Sequence, residues 1–245
     1  KELPQGGSIV SEKQDAIYGT TELTLSNGVK VYIKKTDFKA DEIRMSARSL
    51  GGTNIFDDNE VLNFSAIASI VSGGGLGNHS KVELNKLLAG KKASVNPFIG
   101  STLEGVAGSC SPKDFETMMQ LTYLTFTAPR KDMEAFESYK NRIKAQLEGA
   151  KANPMASFND SINVTLFNNH PRKLIMQPEM LEQLNYDRII EMYKERFADA
   201  DDFKFFFVGN IDIEKVKPLI AQYIGSLPSI KGSESLIDRK INIVK

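Results

Sequence analysis

Asp57–Gly77, DDNEVLNFSAIASIVSGGGLG, has helical periodicity running into a glycine stop. Leu62, Ser65, Ala66, Ser69 and Gly73 fall along one stripe, with Val61, Phe64, Ala68 and Val71 beside it. That spacing predicts a helix over about 58–72 whose small residues let it lie close on a sheet. Gly73–Gly77 follows a helix rather than a strand, so it reads as a helix terminator using left-handed backbone and not as a phosphate cradle. Ser65 and Ser69 have no histidine or lysine placed nearby in sequence to activate a hydroxyl, which leaves packing as their reading.

On the N-terminal side, Leu23 and Leu25 alternate into Val29, Val31 and Ile33 around Asn27-Gly28, a hairpin signal. Ile43, Met45 and Ala47 continue the pattern as a third strand over 42–50. On the C-terminal side, Ser80-Lys-Val-Glu83 is a capping box that opens a helix through Leu88. Strand-like segments follow at 93–99 and 103–109, and Ser111-Pro112 starts a helix bearing Phe115, Met118, Met119 and Phe126. A longer helix over 131–151 carries Phe136, Ile143 and Leu147; Asn153-Pro154 breaks it and opens another with Met155, Phe158 and Ile162. Asn185 or Asp187 opens a helix with Ile189, Ile190 and Tyr193. The run Phe203–Val208, FKFFFV, is expected to be a strand buried on both faces, followed by a helix with Val216, Leu219 and Ile220 that Gly225-Ser-Leu-Pro228 ends.

The resulting order, β-β-β-α-α-β-β-α-α-α-α-β-α, fits an α+β layered sandwich, a mostly antiparallel sheet with helices packed on one face. Residues 1–17 read as a linker, 18–228 as one domain, and 229–245 as a second linker, toward a following domain, with a strand signal at Ile241–Val244. Thirty-one basic and thirty-one acidic side chains cancel, so no net field attracts nucleic acid or an anionic membrane. No apolar run approaches the roughly 20 residues of a membrane span, and KELPQGGSIVSEK lacks a signal-peptide layout. A chain that starts at Lys1 reads as a piece of something longer. Cys110, the only cysteine, reads as a small buried hydrophobe. His79 and His170 lack the i, i+4 helical spacing of a ligand pair and read as surface or capping residues.

The hairpin Leu25-Ser-Asn-Gly-Val-Lys-Val-Tyr-Ile33, the strand end Gly51-Gly52-Thr53, the helix over 58–72, and the closing elements Val208-Gly-Asn-Ile-Asp212 and Gly225-Ser-Leu-Pro228 come in a specific order. That order, over about Tyr18–Pro228, resembles a homology unit of the pitrilysin family, the zinc peptidases that include insulin-degrading enzyme and the mitochondrial processing peptidases. The resemblance implies their metallohydrolase-like fold. Catalytic units of that family carry His-x-x-Glu-His, two zinc ligands and a general base. The matching positions here read Ser65-Ala66-Ile67-Ala68-Ser69, so Ser65, Ala68 and Ser69 stand where the ligands and base would be. Serine is a poor zinc ligand and alanine takes no proton.

Family spacing to the third ligand leads to Ala145 and Gln146, near Glu148. The resemblance therefore implies a non-catalytic domain without a cofactor of its own. Zinc would belong to the catalytic half, in the same or a partner polypeptide, and this domain would enclose peptide substrates with it. The alternative is a stand-alone structural core-type subunit without peptidase activity. Ala93, Ser94, Val95 and Asn96 lie where the family's edge strand takes up substrate as an added strand; Pro97, where the family has alanine, removes one amide donor. Resemblance to large bacterial members further implies a periplasmic placement.

Overall fold

The computed structural model describes residues 3–232 and 234–243. Seven strands, β1 (Ile9–Asp15), β2 (Thr20–Leu25), β3 (Lys30–Lys35), β4 (Ile43–Leu50), β5 (Ala93–Ile99), β6 (Leu103–Cys110) and β7 (Lys204–Gly209), form one sheet. Its order is β1-β2-β3-β7-β4-β6-β5, and every neighbouring pair is antiparallel except β3 with β7. Among the described residues eight α-helices are interspersed with the strands, three between β4 and β5, four between β6 and β7 and one after β7: α1 (Val61–Phe64), α2 (Ile67–Gly74), α3 (Lys81–Leu87), α4 (Phe115–Thr127), α5 (Met133–Lys151), α6 (Pro154–Leu166), α7 (Tyr186–Arg196) and α8 (Ile213–Tyr223). The α+β sandwich with a mostly antiparallel sheet is the architecture the sequence predicts.

Local chemistry explains most boundaries. Gly28 takes φ +96° in the β2–β3 turn, and the Asn27 side chain donates to the Ile224 and Leu227 carbonyls at 2.9 and 3.1 Å, tying that turn to the end of α8. Ser80 and Glu83 form the expected capping box on α3. Asp132, Asn153, Asn185 and Asp212 accept backbone N–H bonds at the starts of α5, α6, α7 and α8. Inside, Leu23, Val31, Ile33, Phe205 and Phe207 are sealed from solvent. Phe126 of α4 meets Phe197 and Phe203 edge-on at 5.0 and 4.9 Å.

Four expectations are corrected. Residues 9–15 are not linker but strand β1, in register with β2 through Glu12 opposite Leu23; its exposed Glu12, Lys13 and Gln14 hide the strand pattern and suit an outer edge. The helix over 58–72 is two helices, because Ala66 leaves helical backbone (φ −131°, ψ 14°) between α1 and α2. The run Phe203–Val208 is buried on one face only: Phe205 and Phe207 are sealed, whereas Phe206 and Val208 are 41% and 42% exposed, since the helices cover a single side of the sheet. Residues 229–232 and 234–243 form no strand, Val244 lying outside the described residues, but they strap back onto the domain. The amides of Ile230 and Gly232 donate to the Asp199 carboxylate at 3.1 and 2.7 Å. Further along, the Asn54 side chain donates to Ile237 O at 2.8 Å, and Arg239 donates to the Asn54 and Phe56 carbonyls, both at 2.7 Å.

Candidate functional site

Ser65, Ala68 and Ser69 lie on either side of the break at Ala66. Ser65 ends α1, and its hydroxyl donates back to Leu62 O at 2.9 Å. Ser65 and Ser69 are exposed and Ala68 is half-buried; Ile67, Ile70 and Val71 of α2 turn inward instead. Two ligands at i and i+4 share a face only on an unbroken helical turn. The backbone here interrupts that turn, and the side chains offer no imidazole or carboxylate to a metal. Ala145, Gln146 and Glu148 are all exposed on α5, which packs against α2. These residues do not fit a zinc ion. Among the described residues no three His, Cys, Asp or Glu side chains gather into a group that could hold a metal.

The glycine run does what the sequence suggests. Gly74 ends α2 and Gly75 takes φ +95°; a Cβ on Gly74 would sit 2.1 Å from the Arg130 carbonyl and one on Gly75 2.2 Å from that of His79. Arg130 also donates to Gly74 O at 3.0 Å, covering a terminal carbonyl of α2. His170 is a cap, its Nδ1 accepting from the Arg172 amide at 3.1 Å. His79 exchanges backbone hydrogen bonds with Leu76 in the loop after α2. Cys110 is buried, and burial pushes its thiol up to about 12, with Asp114 adding to the shift; no thiolate is available for nucleophilic work.

Ala93, Ser94, Val95 and Asn96 are together on β5, the last strand of the sheet, which pairs only with β6. Among the described residues the outer edge of β5 has no neighbouring strand, and Pro97 sits on it as an edge residue. Val95 packs toward the core while Ser94 and Asn96 are exposed on the opposite face. Beside the edge lies a cleft of about 380 Å³, walled by Val71 and Ser72 of α2, Leu84 and Leu88 of the α3 segment, and β5 itself. Tyr193 closes its floor, its hydroxyl donating to Thr125 O at 2.9 Å.

A group of arginines, not anticipated from the sequence, braces the segment leading into α1. The Arg172 guanidinium is buried, bonds Asp58 at 2.5 Å and Thr53 O at 3.2 Å, and lies 4.8 Å from the Phe64 ring. Arg188 grips Glu60 at 2.7 and 3.1 Å. Arg196, buried under the sheet, takes Glu234 of the strap at 2.6 and 2.7 Å and lies 3.5 Å from Glu104. Burial pushes the Glu104 carboxyl up to about 7, although the Gly52 amide at 2.6 Å and Arg196 both favour its ionised form. No local sequence signal distinguishes these arginines from surface ones, because each partner is far along the chain.

A sequence model described as the peptidase M16 inactive domain matches residues 183–243. The probable zinc protease PqqL of Haemophilus influenzae is 24% identical over 226 residues, covering 91% of this chain and 24% of that protein. The chain is thus similar in sequence to pitrilysin-type, M16 zinc proteases. The crystal structure of the periplasmic protease PqqL from Escherichia coli shares the fold of this chain with a TM-score of 0.81 at 22% identity, over 100% of this chain and 27% of that one. The ferredoxin protease FusC E83A mutant, solved in complex with Arabidopsis ferredoxin, superposes with a TM-score of 0.82 at 13% identity over 100% of this chain and 26% of its own. The chain thus spans about a quarter of the proteins it matches. No helix among its described residues is long and apolar enough to cross a membrane.

Proposed function

We propose that this chain is the non-catalytic M16 member of a larger zinc metalloendopeptidase, in which a separate domain bearing His-x-x-Glu-His performs the hydrolysis. The observation that carries this reading is the pairing of an intact family scaffold with an α1–α2 segment that is interrupted at Ala66 and has serine, alanine and serine at the ligand positions. Zinc belongs to the catalytic half. This domain supplies part of the wall enclosing the peptide, and the free edge of β5 at Ala93–Asn96 receives an extended segment through backbone hydrogen bonds, its side chains entering the cleft beside α2. The matching protease from Escherichia coli is described as periplasmic, which supports a periplasmic placement here. The match to an inactive domain within zinc proteases favours this reading over a stand-alone core subunit.

The test is turnover of a quenched fluorescent peptide by the 245-residue chain alone and by the protein encoded by the complete reading frame, each with zinc present. The longer protein is expected to cleave and the chain alone to be inert. In the longer protein, Val95→Pro, which removes an edge amide, is expected to raise KM more than it lowers kcat. Hydrolysis by the isolated chain overturns the reading, and so does a complete reading frame without His-x-x-Glu-His.

A further inference from the structure

The open face of the sheet carries an arrangement of charge that folding does not require. On β3, β7 and β4 the residues pointing away from the helices are Lys30, Tyr32 and Lys34; Lys204, Phe206 and Val208; Arg44, Ser46 and Arg48. The register sets them in three rows. Lys30 lies beside Lys204, which is directly opposite Arg48, so three cations cross three adjacent strands. Tyr32 lies beside Phe206, which is opposite Ser46, and the two rings stack at 5.1 Å and 15°. Lys34 lies beside Val208, which is opposite Arg44.

Like charges facing each other across strands oppose pairing. Among the described residues Lys30, Lys34, Arg48 and Lys204 have no ion-pair partner, whereas Arg44 has Glu42 at 3.2 Å. The chain as a whole has no net charge, so this is a local concentration. A groove of about 510 Å³ adjoins these rows on the β4 side, running from Phe206 and Val208 past Glu42, Arg44 and Arg48 to Asn96 on β5.

We infer that this face binds an acidic polypeptide segment, with carboxylates on the two cationic rows and an apolar side chain over the Tyr32–Phe206 stack. Charge complementarity selects the occupant: one carboxylate relieves the repulsion among Lys30, Lys204 and Arg48, another meets the unpaired Lys34, and the aromatic row between them gives an apolar residue a surface to cover. Nucleic acid fits less well, because Glu22 opposite Tyr32 and Glu42 beside Arg44 would face its continuous line of phosphates. The inference deepens the functional reading by giving the charge of the bound segment, and it rests on that reading only in calling the segment a substrate.

The test uses the 245-residue chain and three fluorescein-labelled peptides of one length, each with a central phenylalanine and otherwise alternating serine with glutamate, glutamine or lysine. Fluorescence anisotropy is expected to show the glutamate peptide binding at least about tenfold more tightly than the lysine peptide, with its affinity falling as salt is raised from about 50 to about 200 mM. Arg48→Gln with Lys204→Gln is expected to lose about tenfold for the glutamate peptide alone, and the variant to melt no lower than the parent, because the facing like charges are gone. Equal affinity for the three peptides would overturn the charge reading while leaving the edge-strand reading of β5 standing, since backbone pairing is indifferent to charge. Binding unaffected by salt, or a short DNA duplex bound more tightly than the glutamate peptide, would also overturn it, without recourse to any variant.

Discussion

Phe205 and Phe207 are sealed under α4 and its neighbours, while Phe206 and Val208, alternating with them on the same strand, look into solvent. The α1–α2 segment repeats the contrast. Ile67, Ile70 and Val71 are buried, but Ser65 and Ser69 are exposed. Inward positions are held by packing, which punishes any change of volume. Outward positions are held only by what they bind, so side chains there can change while the fold is kept.

The sharpest way to break this contrast is to cut the two faces of β7 separately. Phe207→Ala removes a ring that packs 5.6 Å from Phe115 and is expected to cost about 3–5 kcal/mol in urea denaturation. Phe206→Ser is expected to cost less than about 1 kcal/mol. Equal losses would mean that the open face is a second structural core.

The strap sharpens the comparison at its margin, because Glu234 comes from outside the sandwich to satisfy the buried Arg196. Glu234→Ala is expected to cost about 1–3 kcal/mol in thermal unfolding and to speed amide exchange at Ile230 and Gly232, whose N–H groups rest on Asp199. A loss of stability without faster exchange there would show that the strap is held independently of Arg196.

Glu104 gives the buried side a pH signature. Its carboxyl is raised to about 7 in the fold, above its value in an unfolded chain, so between the two the folded state holds a proton that the unfolded state has released. Its contribution is therefore complete at pH below the unfolded value and is lost as pH rises toward 7 and beyond. The Glu104→Gln variant is expected to lack this fall, a difference on the order of 1–3 kcal/mol between acid and neutral pH. Parallel pH profiles for the two proteins would contradict the assignment.

On the outward side, the triple change Ser65→His, Ala68→Glu and Ser69→His is expected to leave stability nearly unchanged and to create no tight zinc site, because Ala66 interrupts the turn that would align the two imidazoles. Tight zinc binding by that variant, measured by competition with a chromophoric chelator, would show that side-chain identity alone separates this domain from a catalytic one.

What could be read from the sequence divides along the same line. Asn27-Gly28, the Ser80–Glu83 capping box, Asn153-Pro154 and the inward apolar periodicities are short-range signals, and the elements they mark are present. At 65, 68 and 69 the sequence offers only serine and alanine, and the structure adds the break at Ala66 between them, which no sequence signal marks. Strand β1 was missed because an edge strand needs no apolar face. The two-sided burial expected for Phe203–Val208 failed because composition cannot say which face the helices cover. The strap and the buried Arg196–Glu104 pair depend on residues far apart in the chain, such as Arg196 with Glu104 and Asn54 with Ile237, whose meeting only the tertiary fold decides.

The most direct test of the central claim is the zinc content of the purified 245-residue chain, measured by mass spectrometry after equilibration with zinc and gel filtration, with peptide turnover followed on the same sample. A scaffold without metal chemistry predicts a small fraction of an equivalent and no cleavage. One zinc retained per chain, together with peptide cleavage that a chelator abolishes, would contradict it.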